Sequence, residues 1–256
     1  MCLILIAHDC HPRYRLIVAA NRDEYHARPT AKASFWADAP EVLAGRDLEG
    51  GGTWLGLTAT GRFAALTNFR EPHLHRKDAP SRGRLVSDFL CGNMDEDAFR
   101  QRLEREGETY NGFNLLFGAV DRLGIFSNRA QLPPELAPGI HGISNHLPDT
   151  PWPKVVRGKE GLTSLVSAGN PLTPRDLFAL LADRTQPADA FLPNTGVGLE
   201  LERQLAPLFI RGKEYGTRCS TVVLVDQENK VTFAERTFPP PHGRPSTVTF
   251  NFTLPA

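Results

Sequence analysis

The strongest constraint on the fold is a series of short apolar runs separated by turn-type residues. The first run, residues 2–7, is followed by residues 14–20 after a turn that contains Asp9 and Pro12. Two strand-length runs with so short a connection predict an antiparallel β-hairpin. Further strands are predicted at residues 53–57, 62–67, 113–120, 123–127, 140–145, 221–226, 231–237 and 247–254, whereas residues 26–42, with two prolines, are expected to be irregular.

Helical periodicity is concentrated in the middle of the chain. It predicts helices over residues 81–90, 95–106, 152–166, 173–183 and 199–208, and Thr173 followed by Pro174 is a typical helix start. The order of elements is strands, helices, strands, helices, strands. This order favours an α+β fold of stacked sheets with helices outside them. No linker or repeat interrupts residues 1–256, so one domain is predicted.

Composition narrows the class of function. A formal net charge of +0 and 41% hydrophobic residues are typical of a globular protein and indicate neither a nucleic-acid surface nor a basic membrane face. The apolar runs are far shorter than the roughly 20 residues that cross a bilayer. Because Met1 and Cys2 are the only residues before the apolar stretch that begins at Leu3, and neither is basic, no signal peptide is predicted and a cytoplasmic location is expected. The four cysteines form no C-x-x-C pair, so disulfides are not expected.

Cys2 is the first candidate for chemistry. Removal of Met1 would make it the N-terminal residue, with a thiol and a free α-amine on one residue. The pKa of such an amine is about 7.7–8 and that of a thiol about 8.5, so the amine is suited to act as the general base for its own side chain. The alternative is that Cys2 is only a small apolar residue that opens a buried strand.

A polar tetrad, Asn21-Arg22-Asp23-Glu24, follows the second apolar run. The far ends of a hairpin lie side by side, so the tetrad is expected near Cys2. A guanidinium there would favour the thiolate, and a carboxylate would hold the α-amine or position Arg22. The alternative is a solvated, charged turn.

Three further residues lie at predicted strand ends. The side-chain amides of Asn68 and Asn145 are candidate donors to an oxyanion, although asparagine at such places is commonly a turn former. Arg218 precedes a strand and would pair with a substrate carboxylate or phosphate, or be a surface charge. No metal-binding spacing of His, Cys or Glu is present, so no metal site is predicted. Haem needs only one or two axial ligands and stays a candidate ligand.

Taken together in chain order, several segments resemble the NRDE family, also called the transport and Golgi organisation protein 2 family. Besides the tetrad, the segments are Met1-Cys2-Leu3-Ile4, Gly51-Gly52-Thr53-Trp54, Leu66-Thr67-Asn68, Ser81-Arg82-Gly83, Ser144-Asn145, Pro151-Trp152-Pro153-Lys154 and Tyr215-Gly216-Thr217-Arg218. Members of this family are associated with haem handling and with lipid or acyl-CoA metabolism.

The family pattern is in turn similar to that of N-terminal-nucleophile hydrolases of the cysteine type, which cleave bile salt conjugates and penicillin V. The resemblance implies a four-layer αββα sandwich with Cys2 as nucleophile, supported by Arg22 and Asp23. It implies Asn68 and Asn145 as oxyanion donors. The arginine and aspartate are adjacent here, which differs from the spacing in those hydrolases.

Two functions are therefore expected as alternatives. One is hydrolysis of an amide or thioester of an acyl compound by Cys2. The other is non-enzymatic binding or carriage of haem, acyl-CoA or a lipid. In both, a small molecule is the partner, and Asn21, Glu24 and Arg218 are predicted to contact it. The sequence indicates no oligomeric state.

Overall fold

The computed structural model describes residues 2–239 and 244–255. Met1, whose removal would make Cys2 the N-terminal residue, lies outside these residues. The strands are β1 Cys2–His8, β2 Tyr14–Tyr25, β3 Thr30–Trp36, β4 Ala39–Asp47, β5 Leu55–Thr58, β6 Arg62–Asn68, β7 Phe113–Ala119, β8 Arg122–Ser127, β9 Gly139–Ile143, β10 Tyr215–Asp226, β11 Lys230–Thr237 and β12 Ser246–Thr253. The α-helices are α1 Gly83–Cys91, α2 Glu96–Glu106, α3 Pro153–Ser167, α4 Pro174–Leu181 and α5 Leu199–Leu205, and short 3-10 helices cover Pro72–Leu74, Gly107–Thr109 and Asp189–Phe191.

The strands form two six-stranded sheets. The first has the order β12-β11-β10-β2-β1-β9 and the second the order β3-β4-β5-β6-β7-β8, with antiparallel pairing between neighbours. Helices α3 and α4 pack on the outer face of the first sheet, and α1 and α2 pack on the outer face of the second. The result is the predicted αββα sandwich, which is confirmed.

Alternation along β1 shows how the layers are specified. Ile4 and Ile6 point into the core between the sheets, whereas Leu3 and Leu5 point toward α3 and α4. A strand that is buried on both faces must be apolar throughout, as residues 2–7 are. Burial of each such side chain contributes about 1.5–3 kcal/mol to folding.

The prediction for residues 26–42 is wrong. Most of this segment belongs to β3 and β4, which pair with each other through an irregular register. Its prolines avoid the regular ladder, because Pro29 precedes β3 and Pro40 lies before Val42, where the pairing of β4 with β5 begins.

Two strands are also longer than predicted. Strand β2 runs through the tetrad to Tyr25, and β10 begins at Tyr215, so the polar residues of the tetrad lie inside a sheet rather than in a turn. Among the helices of the described residues, none is long and apolar enough to cross a membrane.

Candidate active site

Cys2 lies at the start of β1, directly opposite Arg22 of β2 in the antiparallel register. Opposite residues in such a ladder share one face of the sheet, here the face toward the second sheet. Cys2 is 9% exposed and lines a cavity of about 380 Å³. The predicted proximity of the tetrad to Cys2 is confirmed by this pairing.

The thiol of Cys2 lies in a site that disfavours its charged form. Burial raises its pKa, and the nearby carboxylate of Asp23 adds to this effect, while Arg22 opposes it. The thiol is therefore neutral at pH 7, and chemistry at Cys2 requires a general base.

Arg22 is held rigidly over the cavity. Its guanidinium carbon lies 4.5 Å from the ring centroid of Trp54, and Nη1 donates to Thr30 Oγ1 at 3.3 Å. Nη2 is 3.7 Å from Glu24 Oε2 and 3.8 Å from Asp47 Oδ2. These contacts fix a positive charge beside Cys2 with little rotational freedom.

Asn21 lies on the opposite face of β2. Its Nδ2 donates to the carbonyls of Leu181 at 3.0 Å and Leu208 at 2.9 Å, and its Oδ1 accepts from Ser220 Oγ at 2.6 Å. Asn21 thus ties the end of α4 to the sheet and does not line the cavity. The structure does not bring it into the predicted ligand-binding group.

Asp23 lines the cavity, but its side chain also belongs to the face that carries the helices, where the charge of a buried lysine acts on it. Its Oδ1 accepts from Thr217 Oγ1 at 2.7 Å. Burial raises the pKa of Asp23, and the charge of Lys154 on α3 opposes that rise. Lys154 is only 2% exposed, and burial lowers its pKa to about 8.

A buried ion pair lies next to these two residues. Arg70 Nη1 is 2.6 Å from Glu202 Oε2, and both charges act on Lys154. Sequence reasoning did not select Lys154 as a site residue. The signal that would have found it is its place in the segment Pro151-Trp152-Pro153-Lys154, where a lysine at the start of an amphipathic helix faces inward.

The two asparagines meet near Cys2, but only one faces the cavity. Asn145 is fully buried, and its Nδ2 donates to Asn68 O at 2.9 Å. The preceding residue, Ser144, donates from Oγ to Cys2 O at 3.3 Å. Asn68 itself lines the cavity. Its side chain is therefore available to a ligand, whereas Asn145 fixes the backbone that carries it.

Glu24 and Arg218 are placed differently from one another. Glu24 lines the cavity and lies near Arg22 and Arg28. Arg218 Nη1 donates to the carbonyls of Tyr25, His26 and Arg28, at 2.8, 3.1 and 3.0 Å. Arg218 holds the turn after β2 and does not line the cavity.

Arg82, just before α1, is a cavity residue that sequence reasoning missed. It is half-buried and lines both the cavity at Cys2 and an adjoining cavity of about 590 Å³, which shares Glu24, Asn68 and Arg82 with the first. Burial lowers the pKa of its guanidinium to about 10. The available signal was again a family segment, Ser81-Arg82-Gly83.

Backbone contact between Gly52 and Gly83 positions Arg82. A Cβ at Gly52 would lie 2.3 Å from Gly83 O, a distance that requires the backbone to move. We expect Gly52→Ala to lower the free energy of unfolding by about 1–3 kcal/mol, the usual effect of overpacking, as measured by urea denaturation.

Gly107→Ala is the matched control for that substitution. Gly107 has φ −58° and ψ −32°, and the nearest atom to its added Cβ is at 3.4 Å, so little change is expected. Equal losses in the two variants would contradict the role given to the contact between Gly52 and Gly83.

No group of three or more His, Cys, Asp or Glu side chains in residues 2–239 and 244–255 is arranged to hold a metal ion. The cavity combines a buried thiol, fixed guanidinium groups and a side-chain amide. This arrangement is chemically suited to attack on a carbonyl and to binding an anion.

Solved structures share the fold. An N-acylethanolamine-hydrolyzing acid amidase ortholog from Caenorhabditis elegans has a TM-score of 0.52 at 10% identity, covering 87% of this chain and 92% of that one. A mutant conjugated bile acid hydrolase from Clostridium perfringens has a TM-score of 0.51 at 7% identity, covering 100% of this chain and 97% of that one. Both comparisons support the N-terminal-nucleophile-hydrolase-like fold.

Sequence relatives cover nearly the whole chain. Transport and Golgi organization protein 2 homologs from Bos taurus and Homo sapiens are 41% and 38% identical, each over 92% of both chains. The Drosophila melanogaster protein is 32% identical over 95% of both chains. The family model described as Transport and Golgi organisation 2 matches residues 1–240. The chain therefore belongs to the Transport and Golgi organisation 2 family.

Proposed function

We propose that the protein is a hydrolase that cleaves an amide or thioester of an acyl compound, with Cys2 as nucleophile after removal of Met1. The observation that carries the proposal is the position of Cys2 in the cavity wall, directly opposite the immobilised Arg22. The hydrolase-like fold supports it.

In the first step, the α-amine of Cys2 takes the thiol proton and Sγ forms a bond to the substrate carbonyl carbon. The raised pKa of Cys2 makes this base necessary. The oxyanion receives a hydrogen bond from Asn68, which Asn145 positions. Arg22 stabilises the negative charge that develops on Sγ as the thiol loses its proton.

The tetrahedral intermediate collapses as the carbon–nitrogen or carbon–sulfur bond breaks, and the α-ammonium returns its proton to the leaving group. This leaves a thioester between Cys2 and the acyl group. Water, deprotonated by the same amine, then attacks the thioester. The acid is released and the thiol recovers its proton.

The test is to trap the acyl-enzyme. Protein purified after expression in the cytosol is mixed with N-decanoyl-4-nitroaniline or S-decanoyl-N-acetylcysteamine, quenched in acid and analysed by mass spectrometry. We expect a protein without Met1 that carries one decanoyl group on Cys2. A mass that retains Met1, or a processed protein that releases no product, would overturn the proposal.

The second candidate is a carrier for haem or acyl-CoA. The neutral thiol of Cys2 and the adjoining cavity of about 590 Å³ favour it. A carrier needs a cavity for its ligand but no general base to ionise the thiol. Titration with haem and with decanoyl-CoA tests it. Saturable micromolar binding that survives Cys2→Ala, with no turnover by the parent protein, would support the carrier over the hydrolase, whereas absence of saturable binding would exclude it.

A further inference from the structure

The arginines around the cleft differ in how their charge is neutralised. Most form ion pairs with carboxylates: Arg22 with Glu24 and Asp47, Arg28 with Asp47 and Glu49, Arg70 with Glu202, and Arg129 with Glu71. Arg82 and Arg76 are the exceptions. Within residues 2–239 and 244–255, no carboxylate forms an ion pair with either of them. Arg76 is exposed and donates from Nη2 to the carbonyls of Glu108 and Thr109, whereas Arg82 is half-buried and donates from Nη1 to Gly112 O at 2.8 Å.

The nearest acids are already engaged elsewhere. Glu24 and Glu71 raise the pKa of Arg82 through their charges, but Glu24 pairs with Arg22, and Glu71 accepts from Arg129 Nε at 2.8 Å with both oxygens. Burial of a guanidinium without a counter-ion is costly. A ligand anion at this place would therefore gain a charge partner without breaking an ion pair of Arg82.

The free edge of Arg82 favours an anion that presents two oxygens side by side. Because Nη1 is held by Gly112 O, the edge formed by Nε and Nη2 remains for a ligand. Two parallel N–H donors match the two oxygens of a planar carboxylate. Arg82 and Cys2 also line one cavity.

We propose that Arg82 binds a carboxylate of the substrate, so that the substrate class is an acyl amide or thioester that carries a free carboxylate beside the bond cleaved. This inference rests on the proposed function for the bond that is cleaved. The binding of a carboxylate is independent of turnover. Trp54 and Leu66 line the same cavity and supply its apolar contacts for the acyl part.

Equilibrium binding tests carboxylate recognition by Arg82 separately from hydrolysis by Cys2. N-decanoylglycine, N-decanoylglycinamide and N-decanoyl-O-phosphoethanolamine are titrated by calorimetry into the Cys2→Ala variant, which cannot form an acyl-enzyme. We expect the carboxylate to bind at least about tenfold more tightly than the neutral amide, since a charge-assisted pair contributes more than about 1.4 kcal/mol. Tighter binding of the phosphate compound would overturn the assignment to a carboxylate.

The variant test adds Arg82→Met in the same background. It is expected to remove the tenfold preference and to leave binding of the glycinamide unchanged, while Arg82→Lys restores only part of the preference. Arg84→Met is the matched control, since Arg84 is exposed, lies two residues further on in α1 and does not line the cavity. If Arg82→Met fails to fold, the test rests on Arg82→Lys. An unchanged preference of the Arg82→Lys variant for N-decanoylglycine over N-decanoylglycinamide would then overturn the proposal.

These results do not depend on the hydrolase reaction. A preference for the carboxylate without any acyl-enzyme would retain the binding site and exclude the hydrolase. An acyl-enzyme formed equally well from the glycine and glycinamide compounds would retain the hydrolase and exclude the role of Arg82.

Discussion

Cys2→Ala is expected to lower kcat/KM for hydrolysis of a decanoyl amide or thioester by about 10⁴-fold or more, the scale on which removal of a catalytic nucleophile acts. The thiol forms the covalent bond to the acyl group, and no other described cysteine lines the cavity. The fold should be retained, because the substitution removes a single sulfur atom from the wall of an existing cavity. Initial rates and urea denaturation, measured on the same preparations, check the two parts of this prediction.

Cys219→Ala is the matched control. Cys219 is buried, and it pairs with Arg22 from the other side, through β10. It does not line the cavity. Turnover by the folded Cys219→Ala protein is expected to stay within a few-fold of the parent, in the range of indirect effects. Equal losses in both variants would mean that the core around Arg22, rather than the thiol of Cys2, supports the activity.

The sequence predicts the hairpin and the place of Cys2 well, for a physical reason. Runs that are apolar at every position fit strands buried on both faces. The short turn limits the possible pairing registers of the hairpin, so Cys2 must lie close to Arg22. Strands β3 and β4 could not be predicted from residues 30–47, where polar and apolar residues are mixed. Both strands have one partly exposed face, and their irregular pairing breaks the alternation of buried and exposed residues.

The rest of the site depends on long-range packing. Adjacent residues of a strand point to opposite faces, so Arg22 lies on the face toward the second sheet and Asp23 on the face that carries the helices, although both line the cavity at Cys2. Among nearby charges, that of Lys154 acts most strongly on Asp23. Lys154 is far along the chain, and no local pattern specifies that the two residues lie close together. The same holds for Arg218, whose carbonyl contacts arise only when β10 pairs with β2.

The second large effect is expected at Asp23. Asp23→Asn removes the carboxylate that most favours the charged form of the buried Lys154. Removing one member of a buried pair in direct contact typically costs about 3–5 kcal/mol of the free energy of unfolding, and Asp23 and Lys154 interact through their charges without forming such a pair. We therefore expect a smaller loss, about 1–3 kcal/mol, near pH 6, measured by urea denaturation with the same N-terminus in every variant.

The pH dependence distinguishes this cause from a packing defect. The pKa of Lys154 is lowered to about 8 from 10.5, so its contribution to stability is complete above pH 10.5, falls as the pH falls, and is constant below about pH 8. In Asp23→Asn the pKa of Lys154 is lower still, and the decline continues below pH 8. The raised pKa of Asp23 acts in the same direction, because the folded parent is stabilised as this carboxyl takes up its proton.

The deficit of Asp23→Asn relative to the parent should therefore grow as the pH is lowered from 9 to 6, by at most about 1.4 kcal/mol per pH unit for each proton. The double variant Asp23→Asn/Lys154→Met is the control. With neither charge buried, it should recover part of the lost stability, and its pH dependence should be weaker. A deficit of the same size at every pH, unchanged in the double variant, would show that Asp23 stabilises the fold through Thr217 and not through Lys154.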